Sequence, residues 1–172
     1  MITRRSLLAS AVLAMSAARS FAKAKLGEDG LYQEDWYVES FLDLAEDLTN
    51  ANQAGKRFTI LWGLRNCPAC RRMHEVHLAD PAIETYIRDN FAVLHLNILG
   101  AREVTDFGGG KLSEKALAKH YGIEGTPAIQ FFPTSAAGLA AKPPREREVA
   151  RMASLLEPEA FIAQFRAVRN GV

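Results

Sequence analysis

The 172 residues contain only two cysteines, and they stand together in Cys67-Pro68-Ala69-Cys70. A thiol becomes a nucleophile or a metal ligand as its thiolate, so the chemistry here depends on what ionises these sulfurs. Pro68 suits the first position of a helix, where the missing amide would have no partner anyway. Cys67 is then the N-cap, and later free amides point at its sulfur. That dipole, with Arg65, Arg71 and Arg72 nearby, favours thiolate over thiol and pulls the Cys67 pKa from about 8.5 into the range of roughly 3.5 to 7.5. Cys70, one turn deeper, is spaced to attack a mixed disulfide between Cys67 and a partner, which releases the reduced partner and joins Cys67 to Cys70. Other uses of the pair compete with this one. A metal-binding or metal-delivery module would draw on Cys67, Cys70 and His74, with His77 as a further donor, but neighbouring positions on one helix converge poorly on a tetrahedron and no second cysteine pair exists. A purely structural disulfide would close too small a loop to restrain the unfolded chain much. Covalent haem is excluded, because Arg71 and not histidine follows Cys70.

The elements that must hold this pair are visible in the hydrophobic pattern. Val38, Phe41, Leu42, Ala45 and Leu48 recur at helical spacing and predict an amphipathic helix closed by Gly55. Phe58-Thr59-Ile60-Leu61-Trp62 reads as a buried strand ending at Gly63, so the cysteines sit on a strand-to-helix turn. Met73, Val76 and His77 continue one side of the helix they open, and Asp80-Pro81 restarts a second one over Ile83, Tyr86 and Ile87. Phe91 to Ile98 is a further strand. A polar, glycine-rich stretch from Leu99 to Lys111 follows, then a short helix from Ser113 to Tyr121 ended by Gly122. Gly125-Thr126-Pro127 introduces the strand Ala128 to Phe132, and Ala136 to Pro144 is a loose connection. Glu148 to Ala153 pairs back antiparallel, and a last helix carries Phe161, Ile162, Phe165 and Val168. This order predicts an α/β fold with a mixed central sheet and helices on both faces.

Charge divides the chain. The first 24 residues hold Arg4, Arg5, Arg19 and Lys23 and no acid, which leaves 17 bases against 20 acids in the rest. Arg4-Arg5, the apolar run Leu7 to Ala18 and the small-x-small pattern Ala22-Lys23-Ala24 read as an export signal over residues 1–24. It resembles the twin-arginine class, with the general secretory route as the alternative, and cleavage is expected near Ala24. Twelve apolar residues are too few to span a bilayer, which needs about 20. Residues 25–172 are then one exported domain in the periplasm, where disulfides persist. A net charge of +1 supplies no basic field for DNA or other nucleic acid.

A reactive Cys-Pro-x-Cys after the strand Phe58 to Trp62, followed by a second strand and then Gly125-Thr126-Pro127 before Ala128-Ile129-Gln130-Phe131-Phe132, resembles the thioredoxin superfamily over residues 35 to 169. The resemblance implies a thioredoxin-like three-layer fold, no cofactor beyond the redox-active Cys67–Cys70 pair, and a cis Thr126–Pro127 peptide. The cis bond would set the Thr126 backbone beside Cys67, ready to pair with an extended segment of substrate. More narrowly, the helix Phe41 to Leu48, the run Cys70-Arg71-Arg72-Met73-His74, and Arg102-Glu103-Val104-Thr105-Asp106-Phe107 resemble the SoxW-type periplasmic thioredoxins. That likeness implies a thiol:disulfide oxidoreductase that reduces oxidised periplasmic proteins in a sulfur-oxidation setting, fed by a membrane electron carrier of the CcdA or DsbD type. A periplasmic disulfide oxidase or isomerase uses the same residues, since direction depends on reduction potential.

The chain departs from the ordinary superfamily pattern at two places near the cysteines. Asn66 stands where tryptophan is usual, and Leu61 where a buried acid is usual. Proton transfer at Cys70 must then use something else, and Pro68, Ala69 and His74 are the residues placed to tune it. His74 lies one turn on and could act as acid or base, or only adjust the thiolate electrostatically, although a lone helical histidine is more often packed or solvated. His77, His95 and His120 have weaker claims, His95 lying along the strand Phe91 to Ile98. Gly108-Gly109-Gly110-Lys111 lacks the Ser or Thr of a phosphate loop and reads as a surface loop. Trp36, Tyr37 and Trp62 are expected to fill core or rim, and Arg145-Glu146-Arg147-Glu148 to be a solvated turn.

Overall fold

The computed structural model describes residues 25–171, so the export-signal reading of residues 1–24 lies outside the described residues. A two-stranded ribbon opens it, β1 (Lys25–Leu26) against β2 (Tyr32–Gln33), and leads to helix α1 (Leu44–Gln53). Strand β3 (Arg57–Gly63) feeds α2 (Pro68–Arg72), a π-helical turn (Met73–His77), and α3 (Pro81–Asn90). Next come β4 (Phe91–Asn97), the hairpin β5 (Glu103–Thr105) and β6 (Lys111–Ser113), α4 (Glu114–Tyr121), β7 (Ala128–Phe131), β8 (Ala150–Met152) and α5 (Pro158–Arg169). The main sheet runs β4-β3-β7-β8, with β3 parallel to β4 and antiparallel to β7, and β8 antiparallel to β7. It is the expected mixed sheet.

The continuous apolar run of β3 is explained by burial on both faces. Phe58, Ile60 and Trp62 pack toward α1 and α4 with Leu94, Leu96, Leu117 and Tyr121. Leu61 points the other way, with Val93, Ile129 and Phe131, onto Ile83, Ile87, Phe161 and Phe165 of α3 and α5. Each such large side chain contributes about 1.5 to 3 kcal/mol through burial, so the two layers together fix the register of β3. Helix α4 begins and ends where its sequence says. Ser113 Oγ accepts the Ala116 amide, and Gly122 at φ 63° takes the left-handed position after the last turn.

Four expectations need correction. Helix α1 starts at Leu44, not near Val38, because side chains capture the amides before it. Ser40 Oγ accepts the Leu42 amide, Asp43 Oδ1 accepts those of Ala45 and Glu46, and Leu42 sits at φ 63°. Phe41, expected on the buried stripe, is 98% exposed. The polar stretch after β4 is not irregular: it folds into the β5–β6 hairpin, with the glycines at its tip. Its base is held by Glu114, whose carboxylate accepts the amides of Asn97 and Arg102. Finally, the charge run after Pro144 is not wholly solvated. Arg147 is buried and paired with Asp106, which also accepts a 2.7 Å hydrogen bond from Tyr121 Oη.

Candidate active site

Strand β3 ends at Gly63 and the chain turns through Leu64, Arg65 and Asn66 before α2. Asn66 lies at φ 58°, a left-handed position that asparagine tolerates better than most side chains. Cys67 is the N-cap and Pro68 the first helical residue, as the spacing predicts. The two cysteines are joined in a disulfide, with their Cα atoms 5.2 Å apart. Cys67 Sγ accepts the Cys70 amide at 3.0 Å and the Thr126 hydroxyl at 3.3 Å, and it lies 3.5 Å from the Thr126 carbonyl oxygen. The Thr126–Pro127 peptide is cis. Residues 59 positions apart in sequence thus meet at one sulfur. Cys67 is 6% exposed and Cys70 3%, and neither belongs to an apolar core layer.

These contacts favour a thiolate at Cys67 once the disulfide is reduced, because an N–H and an O–H donor are already aimed at the sulfur. The arginines contribute less than their number suggests. Arg71 is paired with Glu75 at 2.7 Å and Arg72 with Glu157 at 2.9 Å, both on the surface, while Arg65 reaches back to the Asp29 carbonyl. Two of the three charges flanking the motif therefore have an opposite charge beside them. Pro68 and Ala69 are simply the first residues of α2 and make no side-chain hydrogen bond.

After α2 the helix widens, and Leu78 N–H donates to the carbonyl of Met73, five residues back. His74 lies in this turn, 2% exposed. Its Nδ1 is 2.8 Å from the Cys70 carbonyl oxygen and its Nε2 is 2.9 Å from Tyr37 Oη. Both ring nitrogens are thus occupied within the protein, and His74 is not turned toward the sulfurs as a third ligand. Among the described residues no group of three or more His, Cys, Asp or Glu is placed to hold a metal. Burial drives the His74 pKa down to about 4 and that of His95 to about 3. The His95 ring packs edge-on to Tyr37 at 5.4 Å and 6.2 Å from His74. Gly63 is required beside it, since a Cβ there would lie 2.4 Å from His95 Nε2. His77 and His120 play no part here: His77 Nε2 is 2.8 Å from the Leu156 carbonyl and His120 lies near Asp106.

Trp62 fills the α1–α4 core layer, with Nε1 donating to Gln130 Oε1 at 2.6 Å, and Trp36 packs against the opposite layer. Tyr37 is the residue that sequence reasoning passed over. Its type and position predict core or rim filling, and the only signal for more is an aromatic residue with a polar tip, which needs a partner when covered. The N-terminal ribbon also escaped prediction, since its strands are two residues each.

A sequence profile described as a thioredoxin-like domain matches residues 44–169. No curated protein matches the sequence significantly. Among solved structures, a thioredoxin-fold protein from Helicobacter pylori superposes with a TM-score of 0.55 at 19% identity, covering 74% of this chain and 80% of that one. A thioredoxin from Thermus thermophilus gives 0.54 at 22% identity, covering 73% and 83%. A DsbH oxidoreductase gives 0.50 at 14% identity, covering 85% and 96%. At these identities the likeness is one of fold. With a profile match that runs from α1 to the end of α5, this chain belongs to the thioredoxin-like domain family.

Proposed function

We propose that this protein is a periplasmic thiol:disulfide oxidoreductase that reduces protein disulfides through Cys67 and Cys70. The observation that carries the thiol–disulfide chemistry is the disulfide at the start of α2, with the outer sulfur held by the Cys70 amide and the Thr126 hydroxyl, and the reducing direction rests on the thioredoxin likeness. Starting from the dithiol, Cys67 thiolate attacks one sulfur of a partner disulfide. A Cys67–partner bond forms, the partner's S–S bond breaks, and the partner's other sulfur leaves as thiolate. Cys70, deprotonated, then attacks Cys67 Sγ, expelling the second partner thiolate and forming the Cys67–Cys70 disulfide. Two electrons pass from the protein to the partner, and the structure corresponds to the oxidised end of this cycle. Thr126 makes no backbone–backbone hydrogen bond among the described residues, so its amide is open to pair with an extended substrate segment beside Cys67.

The periplasmic location is supported by the paired arginines, apolar run and Ala22-Lys23-Ala24 of the leading sequence. The CcdA- or DsbD-type electron donor and the sulfur-oxidation setting rest on the SoxW-type likeness. A second reading, a disulfide oxidase, has one observation in its favour: the Thr126 hydroxyl donating to Cys67 stabilises the reduced thiolate, which makes the disulfide more oxidising. Reduction potential separates them, near the roughly −270 mV of thioredoxin for a reductase and near the roughly −120 mV of a strong oxidant for the other.

Trapping tests the chemistry itself. Cys70→Ser is expected to accumulate mixed disulfides through Cys67 in periplasmic extracts, identifiable by mass spectrometry. Absence of any trapped species, together with Cys67 alkylating only above about pH 8, refutes the reading.

A further inference from the structure

The His74–Tyr37 contact reaches the redox site from outside the span that matches the family. Tyr37 precedes residue 44, where the match begins. It is fixed from three sides: Trp36 packs edge-on at 4.8 Å, His95 lies at 5.4 Å, and the next residue, Val38, donates its amide to the Val93 carbonyl on β4. The tautomer of His74 follows from its partners. The Cys70 carbonyl has no proton to give, so Nδ1 carries the hydrogen and donates it. In the neutral ring Nε2 is then bare and accepts from Tyr37 Oη. A buried ring with both nitrogens satisfied has one orientation, and here that orientation holds the backbone of the inner cysteine.

We propose that Tyr37 and His74 are positioning residues for the inner cysteine: the phenol selects the Nδ1–H tautomer, and that N–H fixes the Cys70 carbonyl so that its sulfur stays aimed at Cys67. This rests on the thiol–disulfide reading above. Closing the disulfide is an intramolecular step whose ease is the effective concentration of one thiol at the other, so restraint of the Cys70 backbone raises it. Equilibration with glutathione measures that quantity directly.

The test uses the full chain. Nitrogen-15 NMR of the imidazole at pH 7 is expected to show His74 protonated at Nδ1 and bare at Nε2 in the oxidised protein. His74→Leu, which removes the donor, lowers the effective concentration about tenfold, the equivalent of one good hydrogen bond, and so raises the potential by about 30 mV. His74→Asn keeps an N–H at the same bond distance from the backbone and restores the value to within about threefold of wild type, while Tyr37→Phe loses about threefold. An Nε2–H tautomer in the wild type overturns the proposal, as does a His74→Leu potential equal to that of His74→Asn. If His74→Leu does not fold, the wild-type tautomer and Tyr37→Phe decide: Nδ1–H with a shifted potential supports the role, and any other combination removes it. A wild type showing no dithiol–disulfide equilibrium with glutathione removes the proposed function itself, whereas a normal wild-type equilibrium that these variants leave unmoved removes only the positioning role.

Discussion

On the α1–α4 side of the sheet, Asp106 and Arg147 are buried as a charged pair, whereas beside the cysteines Tyr37, His74 and His95 are covered as neutral groups. The charged cluster is saturated: Arg147 also donates to the Lys142 carbonyl at 2.9 Å, and Tyr121 completes the carboxylate. It ties the residue after the β5 strand to the connection before β8, far along the chain from the redox motif. The neutral cluster is less complete, since His95 Nδ1 has no partner. A fixed charge near a cysteine sulfur biases its ionisation, so neutral rings leave the state of Cys67 to the Cys70 amide and the Thr126 hydroxyl. The same molecule therefore buries charge where no sulfur is near, and behind the cysteines it buries neutral hydrogen-bonded rings while the charged pairs there stay on the surface.

Three variants or conditions sharpen that contrast. Arg147→Ala strands the Asp106 carboxylate and is expected to cost about 3 to 5 kcal/mol in urea unfolding, while the potential of the Cys67–Cys70 pair stays at the wild-type value. A shifted potential would show that the two clusters are coupled. Gly63→Ala forces a Cβ against the His95 ring, which is hemmed in by Tyr37, and is expected to cost about 1 to 3 kcal/mol in the same assay and to move the potential as well. Acid gives the smallest net effect, because two buried histidines and two buried carboxyls act in opposite senses. Because burial holds His74 and His95 neutral in the fold while the unfolded chain takes up their protons near pH 6.5, stability falls as pH drops from about 6.5 toward 4, by up to about 1.4 kcal/mol per pH unit per histidine. Asp47 and Glu34, raised by burial to about 6 and about 7, work in the opposite sense and gain stability as pH falls through those values. Comparing urea midpoints of wild type and His74→Gln from pH 7 to pH 5 isolates the histidine part, and equal slopes would mean that His74 is protonated in the fold.

What could be read from the sequence was local. The N-cap role of Cys67, the Ser113 and Gly122 ends of α4, and the two-sided burial of β3 follow from spacing and residue type over a few positions. The start of α1 misled because Val38, Phe41 and Leu42 continue a helical apolar rhythm, yet Ser40 and Asp43 offer the backbone amides closer acceptors. Arg147 looked solvated because its neighbours alternate in charge. Its burial is decided by Asp106, 41 residues earlier. Tyr37 and His74 are 37 residues apart, and nothing in either neighbourhood announces the other. Long-range pairs of single polar side chains leave no periodic trace, and both clusters contrasted above are made of them.

The chain has two tryptophans, and the fold separates them. Trp62 is sealed between β3 and the α1–α4 layer, while Trp36 rests edge-on against Tyr37 on the opposite side. With Trp62 replaced by phenylalanine, a single indole emitter remains, seated next to the phenol that touches His74. Its wavelength and lifetime give an optical gauge of how firmly the amino-terminal segment docks, readable in real time without any added dye.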